Sequence, residues 1–372
     1  MPSPALAPLR RPLLPFAATV NPAAREAGRH TRHWATRMGL LGDESGLGWP
    51  AGCAPHAAAR MYPRAPTGKL NLISDHLWWL LALDERFERL GRDGTAARAL
   101  DPVHRAVLTA RAGAAPPDRP TSDARRSDRA APGDAPSEQM PPEQAPAEQA
   151  VSGGGVAGPL VQAFADLHRR SGAALPRGCL TRLLDGLDGV LRGFAAEAAS
   201  RRRRLPPNEA EYTALRRDTS RAGIFAVFTE LAVGVELSPR VAARAEYREL
   251  IDCAADIVGW DQDLAAVRRE SARGGPHNLV RVLARAHALS LPQAAQRTAE
   301  RITRRGEDYL AAEYRLLCAL EHAELPAVER LRHQRLVPAL RDTLSGVIAW
   351  NHAWSQLGRP ESGSAAVSRP WR

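Results

Sequence analysis

Lysine is almost missing from this sequence: of 51 basic residues, Lys69 is the one lysine and the rest are arginine. The net charge of +10 therefore sits on guanidinium groups. They are spread along the chain, with Arg201 to Arg204 the one dense run. No recognisable DNA- or RNA-binding module accompanies them, so nucleic acid is not expected as a partner. A basic balance of this kind still suits another anion. Cysteine is also scarce. Cys53, Cys179, Cys253 and Cys318 are far apart and form no C-x-x-C pair, which argues against a zinc knuckle or a thioredoxin-type motif. Reduced thiols are the expectation, and with them a cytoplasmic chain. Arg10 and Arg11 lie beside a short apolar run broken by Pro12 and Pro15, which makes a poor signal peptide. No apolar stretch reaches the ~18 residues of a membrane span. Aromatics are only 5%, and no alternating apolar–polar run of any length suggests a strand.

What the chain has in abundance is alanine, leucine and arginine, all strong helix formers. Hydrophobic residues make up 44% of the 372, enough for a sizeable core. Helical periodicity runs from Ala23 to Met38, followed by a glycine-rich loop to Gly52. It returns from about Lys69 to Leu90, where Leu70, Leu72, Ile73, Leu77, Leu80, Leu81 and Leu83 are the apolar positions. From 160 to 357 helical pieces follow one another. Breaks are expected near Pro176, Pro206-Pro207, Ser238-Pro239, Gly274 to Pro276, Pro292 and Pro326. Residues 112–158 differ: they are rich in Pro, Ala, Glu and Gly and carry a degenerate repeat around Glu138-Gln139, Glu143-Gln144 and Glu148-Gln149. With little to bury, this segment reads as a disordered insertion. The expected architecture is all-α. Residues 1–22 form an extended segment, 23–111 and 159–360 one helical domain, and 361–372 a tail.

Two acidic clusters stand out. Asp84-Glu85-Arg86-Phe87-Glu88 closes the helix from Lys69, with Asp84 and Glu88 four apart and so on one face. Gln262, Ala266 and Glu270 form a second stripe at spacing four. By itself either is an ordinary solvated helix face. The residues after the second are more specific: Glu270 to Val280 reads ESARGGPHNLV.

That run resembles the close of the second metal motif of bacterial class I terpene synthases, where Asn, Ser and Glu stand at four-residue spacing. DERFE at 84–88 is similar to the family's aspartate-rich motif. YTALRRDTS at 212–220 resembles its diphosphate-sensor segment, and Arg216 stands 46 residues before Gln262, a spacing the family favours. PFAATVNPAAREAGRHTRHW, AARMYP at 58–63 and IAWNHAWSQLGRP near the C-terminus also look like family signatures.

The resemblance implies a helical bundle around a cavity and a prenyl diphosphate substrate, by default a C15 one. It implies three Mg²⁺ ions as Lewis acids. Asp84, Glu85 and Glu88 would serve two of them, and Gln262 and Glu270 the third. Arg216 and Arg359 would grip the diphosphate, Arg269 would assist, and Trp354 would line the cavity. Trp78, Trp79, Phe225, Phe228, Trp260 and Trp350 are further cavity or core aromatics. Asp263 would support the metal ligand beside it, and His277 and Asn278 would cap or brace the next helix. A homodimer is among the assemblies the family suggests. The sequence departs from the pattern at Glu85, Gln262, Ala266 and Pro360, where the family has Asp, Asn, Ser and Tyr. The last two departures motivate a second reading, a degenerate relative that binds prenyl diphosphate or a partner without turnover.

Overall fold

In a computed structural model the chain is described over residues 19–41, 53–90, 94–114, 157–203, 206–269 and 277–357. Every regular element there is a helix. The N-terminal part contributes α1 (Ala24–Arg37), α2 (Cys53–Met61), α3 (Thr67–Arg89) and α4 (Gly94–Ala114). The remainder runs through α5 (Gly158–Ala174), α6 (Arg177–Arg203), α7 (Glu209–Thr219), α8 (Ala222–Val233) and the single turn α9 (Pro239–Ala242). It ends with α10 (Ala245–Arg269), α11 (Leu279–Ala286), α12 (Leu291–Glu321) and α13 (Ala327–Leu357).

The expected helices at 23–38 and 69–90 agree with α1 and α3 to within two residues. Most expected breaks fall between helices, because proline removes an N–H and its ring blocks the preceding turn. Pro292 instead sits in the first turn of α12, where its fixed φ suits helix entry; a Ser290–Gln293 capping box completes that start. Pro102 and Pro338 are carried inside α4 and α13. At the two ends of the insertion expected over 112–158 the chain is helical. α4 runs on through Ala114 and α5 starts at Gly158; the stretch between them, like most of 1–22 and all of 361–372, lies outside the described residues.

The bundle is organised round α8. Its residues are apolar save Thr229 and Glu230, and Ala222 and Ile224 to Ala232 are all buried, the mark of a helix enclosed by others. α3, α6, α10 and α13 pack around it. The path into α8 is set by small residues on α6. A Cβ added at Gly186 would lie 2.7 Å from Ile224 Cγ1, and one at Gly193 2.5 Å from Thr219 Cγ2. These two glycines are seven residues apart and so share a face. They allow the α7–α8 junction to press directly against the α6 backbone.

A polar layer ties α1 and α5 to α3. Asp75 is fully buried and accepts from Thr31 Oγ1 at 2.7 Å, His30 Nε2 at 3.0 Å and Arg170 at 2.8 Å. Beside it His76 is bonded to Ser171 Oγ at 2.8 Å and tilts against Phe228. Burial, reinforced by the Arg170 charge, pushes its imidazole down to about 3 from an ordinary 6.5. His76 therefore stays neutral in the folded chain but takes a proton in the unfolded chain below pH 6.5. Its contribution is intact above that pH and is lost as pH falls toward 3. At pH 5 the loss is roughly 2 kcal/mol. Urea denaturation at pH 7 and pH 5 is expected to show this loss in the parent and a clearly smaller one in His76→Gln. Equal losses in both would mean that His76 does not carry the acid sensitivity.

Candidate active site

α10 organises the site by its helical period. Ile251, Ala254, Val258, Gln262 and Ala266 recur at three or four residues and share one face. Asp252, Asp256, Gly259 and Asp263 form a neighbouring face turned toward α7. On the far side Asp261, also buried, accepts from Asn351 Nδ2 at 2.9 Å and is bonded to His352 Nε2 at 3.1 Å. That pair fixes the last turns of α13 against α10.

Arg216 lies across the second face. Its Nε donates to the Gly259 carbonyl at 3.3 Å and one terminal nitrogen donates to Gln262 Oε1 at 2.8 Å. Nε is also 3.2 Å from Asp263 Oδ1. The close approach needs glycine at 259, where a Cβ would sit 2.8 Å from Arg216 Cγ. Asp263 is 4% exposed and joins three helices. It faces Arg216 and accepts from Tyr212 Oη on α7 and from the Leu279 N–H at the start of α11. Asn278 Nδ2 donates to the Asp263 carbonyl at 2.9 Å while its Oδ1 caps Val280 N–H. Asn278 thus caps α11 as expected, and Asp263 braces Arg216, Tyr212 and the start of α11. Burial raises the Asp263 carboxyl above the usual range against the pull of Arg216, Tyr212 and Leu279 N–H. Burial works against the Arg216 cation too, but Asp263, Tyr212, Asp84 and Glu197 together hold it above its ordinary value.

The field of Asp84 at Arg216 reflects the second wall of the site. Phe87 is buried and stacks on Phe194 with ring centres 4.4 Å apart, which seats the end of α3 against α6. Asp84 is left one-third exposed, and its Oδ1 is 2.8 Å from a terminal nitrogen of Arg221. Glu85 accepts from Arg89 Nε at 2.8 Å along the same helix, and Glu88 is exposed. Of the residues singled out separately in the sequence, Arg216 and Gln262 are in direct contact and Asp84 acts electrostatically on Arg216. Arg221 joins them without any signal in the sequence, since one more arginine in an arginine-rich chain attracts no notice. Glu270 and Arg359 lie outside the described residues. Arg269 ends α10 and Trp354 lies in the last turn of α13.

One turn along α10 from Gln262 lies a small part-open apolar recess, with an enclosed space of about 20 Å³. Ile251, Ala254 and Val258, on the Gln262 face of α10, form one side of it. Ala222 and Phe225 on α8 and Leu344 and Val347 on α13 form others. Of the aromatic candidates, Phe225 borders this cavity, whereas Trp79, bonded to the Leu160 carbonyl, and Phe228 are packed in the core.

A family model described as "Terpene synthase family 2, C-terminal metal binding" matches residues 75–308, more than half of the chain. Pristinol synthase of Streptomyces pristinaespiralis is 27% identical over 364 residues, covering 96% of this chain and 88% of that protein. The (+)-T-muurolol synthase of Roseiflexus castenholzii, a (2E,6E)-farnesyl diphosphate cyclizing enzyme, is 26% identical and covers 77% of this chain and 76% of its own. Among solved structures, a-eudesmol synthase superposes with a TM-score of 0.72 at 21% identity, over 92% of this chain and 99% of that one. Germacradien-4-ol synthase from Streptomyces citricolor gives 0.68 at 20% identity over 92% and 98%. No described helix is long and apolar enough to cross a membrane. The expected all-α terpenoid synthase fold is the fold observed, and the chain belongs to terpene synthase family 2, a lyase of the terpene cyclase type.

Proposed function

We propose that the chain ionises farnesyl diphosphate with Mg²⁺ and cyclises the resulting allylic cation to a sesquiterpene hydrocarbon or alcohol. The observation that carries this reading is the contact of Arg216 with Gln262, within electrostatic reach of Asp84, on the helix whose Gln262 face also lines an apolar recess. A relative named for cyclising farnesyl diphosphate supports the C15 choice. The matched proteins named above are synthases, which speaks against a relative that has lost turnover.

The donor chemistry fits magnesium, which takes oxygen ligands, retains waters and shares substrate phosphates. Asp84, Glu88 and the Gln262 amide offer such oxygens, with Glu85 in reach of the same lip and Glu270 assigned by the sequence alone. Among the described residues no three His, Cys, Asp or Glu side chains converge on one point. Diphosphate oxygens and waters would complete the shells of the ions. Ala266, on the Gln262 face, leaves the third ion one protein ligand short. Bound there, the ions supply Lewis-acid stabilisation of the charge that develops on the leaving diphosphate.

The chain's own groups do the rest. Arg216 is held charged and is already aimed by the Gly259 carbonyl and Gln262. Its guanidinium is a fork suited to phosphate oxygens. Arg269 and Arg359 are further candidates for the same anion. The apolar lining excludes water from the cation, and the Phe225 ring, with Trp354 as a second candidate, offers a π face to it. Incubation of purified protein with Mg²⁺ and C10, C15 or C20 diphosphates, read by mass spectrometry of extracted volatiles, tests the proposal. A cyclic C15 product is expected. Release of no organic product from any of the three would leave the non-catalytic reading standing.

A further inference from the structure

We propose that Arg221 is a diphosphate-binding residue of this site, parked on Asp84 in the free protein and released to the substrate when Asp84 takes up its cation. This rests on the reading of the site as a diphosphate site. It adds to it a residue that neither the sequence motifs nor the family resemblance assigns.

Four observations converge. Arg221 adopts φ 68°, ψ 10°, a left-handed conformation that a residue with a side chain rarely occupies without cause. The cause is visible in what the turn does. On an unbroken helix Arg216 and Arg221, five residues apart, would point about 140° away from each other. The left-handed step between α7 and α8 brings Arg221 onto Asp84 while Arg216 stays within electrostatic reach of the same carboxylate. Second, the Arg221 side chain is only 10% exposed, yet its Nε is buried and donates to nothing. The fork is therefore used only in part, which leaves donor capacity that a carboxylate held by one contact does not fill. Third, Arg221 is also the N-cap of α8; its own side chain caps nothing, and among the first amides of that helix Ala222 N–H is met by Ser220 Oγ at a long 3.3 Å. The positive end of a twelve-residue helix opens on the same spot, a setting that favours an anion. Fourth, Ala222, the next residue, lines the apolar cavity. An anion on Arg221 would thus stand where a hydrocarbon chain attached to it could enter that cavity.

The pairing has a consequence for charge. In the free protein Arg221 neutralises Asp84, so a divalent cation must displace it. The freed guanidinium then lacks a counter-charge in a nearly buried position until an anion enters. Diphosphate and Mg²⁺ are each disfavoured alone and favoured together.

The test is calorimetric titration with inorganic pyrophosphate, with Mg²⁺ present and in EDTA, on the parent, Arg221→Gln, Arg221→Lys, Asp84→Asn and the double variant Asp84→Asn/Arg221→Gln. With Mg²⁺, Arg221→Gln is expected to bind pyrophosphate at least ~10-fold more weakly than the parent, the scale of a lost hydrogen bond to a charged group. Arg221→Lys should recover only part of this, because an ammonium cannot reproduce the fork. In EDTA, Asp84→Asn should bind pyrophosphate ~10-fold more tightly than the parent, since its guanidinium is no longer held by a charged partner. That gain should vanish in the double variant. Parent-like pyrophosphate binding by Arg221→Gln overturns the proposal, as does a gain that survives in the double variant, because a pair that only braces α3 against α8 would behave in that way. If the parent itself fails to bind pyrophosphate with Mg²⁺, the diphosphate reading of the whole site falls, and this proposal with it.

Discussion

Asp84→Asn is expected to lower kcat/KM for farnesyl diphosphate by at least ~10²-fold, the scale seen when one preorganised group facing transition-state charge is removed. The fold should survive. Asp84 stands at the edge of the site with its side chain 34% exposed, and the asparagine is isosteric. Its amide oxygen still accepts from Arg221, so the stability cost is limited to the charge part of a partly solvated pair, about 1 kcal/mol or less. Loss of a carboxylate that orders cations matters far more to chemistry, because both the ions and the diphosphate they hold are displaced together. Steady-state turnover beside a thermal melt separates the two effects. A variant with kcat/KM within about threefold of the parent, and an unchanged Mg²⁺ requirement, would remove Asp84 from the metal site.

The largest loss of stability is expected from Asp263→Ala. This carboxylate is nearly fully buried and answers three donors at once: the Arg216 guanidinium, Tyr212 Oη and the Leu279 N–H. Truncation leaves a buried cation and two buried dipoles without their acceptor. Breaking a buried pair by removing one partner costs about 3–5 kcal/mol, which for a chain of this size corresponds to about 5 °C in melting temperature. Because the three donors belong to α7 and to the start of α11, their connection to α10 should loosen together. Arg216 would lose its aim, and turnover should fall with it. Asp263→Asn, which keeps an acceptor for Tyr212 or Leu279 but not the charge, should fall in between. A melting temperature for Asp263→Ala within 2 °C of the parent would show that the junction does not depend on this carboxylate.

The sequence was legible where a signal is local. The leucine periodicity of α3 and the alanine- and arginine-rich periodicity of α1 mark those helices because an amphipathic helix writes its own buried face. Prolines mark most of the later breaks. Asn278 reads as a cap because a short polar side chain before an apolar run has few better uses. α2 and α4 were not legible. α2 is nine residues, four of them alanine, and nearly all of it is buried, so it has no polar face to contrast with. In α4 the interior Pro102 interrupts the pattern that would have announced it.

Composition, helical period and the ordered run of motifs were enough by themselves to determine the all-helical class and the family, and to single out Asp84, Arg216 and Gln262 as candidates for one site. Each of these is carried by neighbours within a turn or two, or by spacing along the chain. The state of those residues was decided only by tertiary structure. Gln262 accepts from Arg216 because Gly259 lets that arginine lie flat on α10. Asp84 is occupied by Arg221 because two glycines of α6 admit the α7–α8 junction close enough for a left-handed turn to face α3. The residues that set the turn are far in sequence from the carboxylate it serves, and their effect is steric exclusion between backbones. No local pattern encodes that, since a glycine on a helix face looks the same whether or not another helix comes to rest on it.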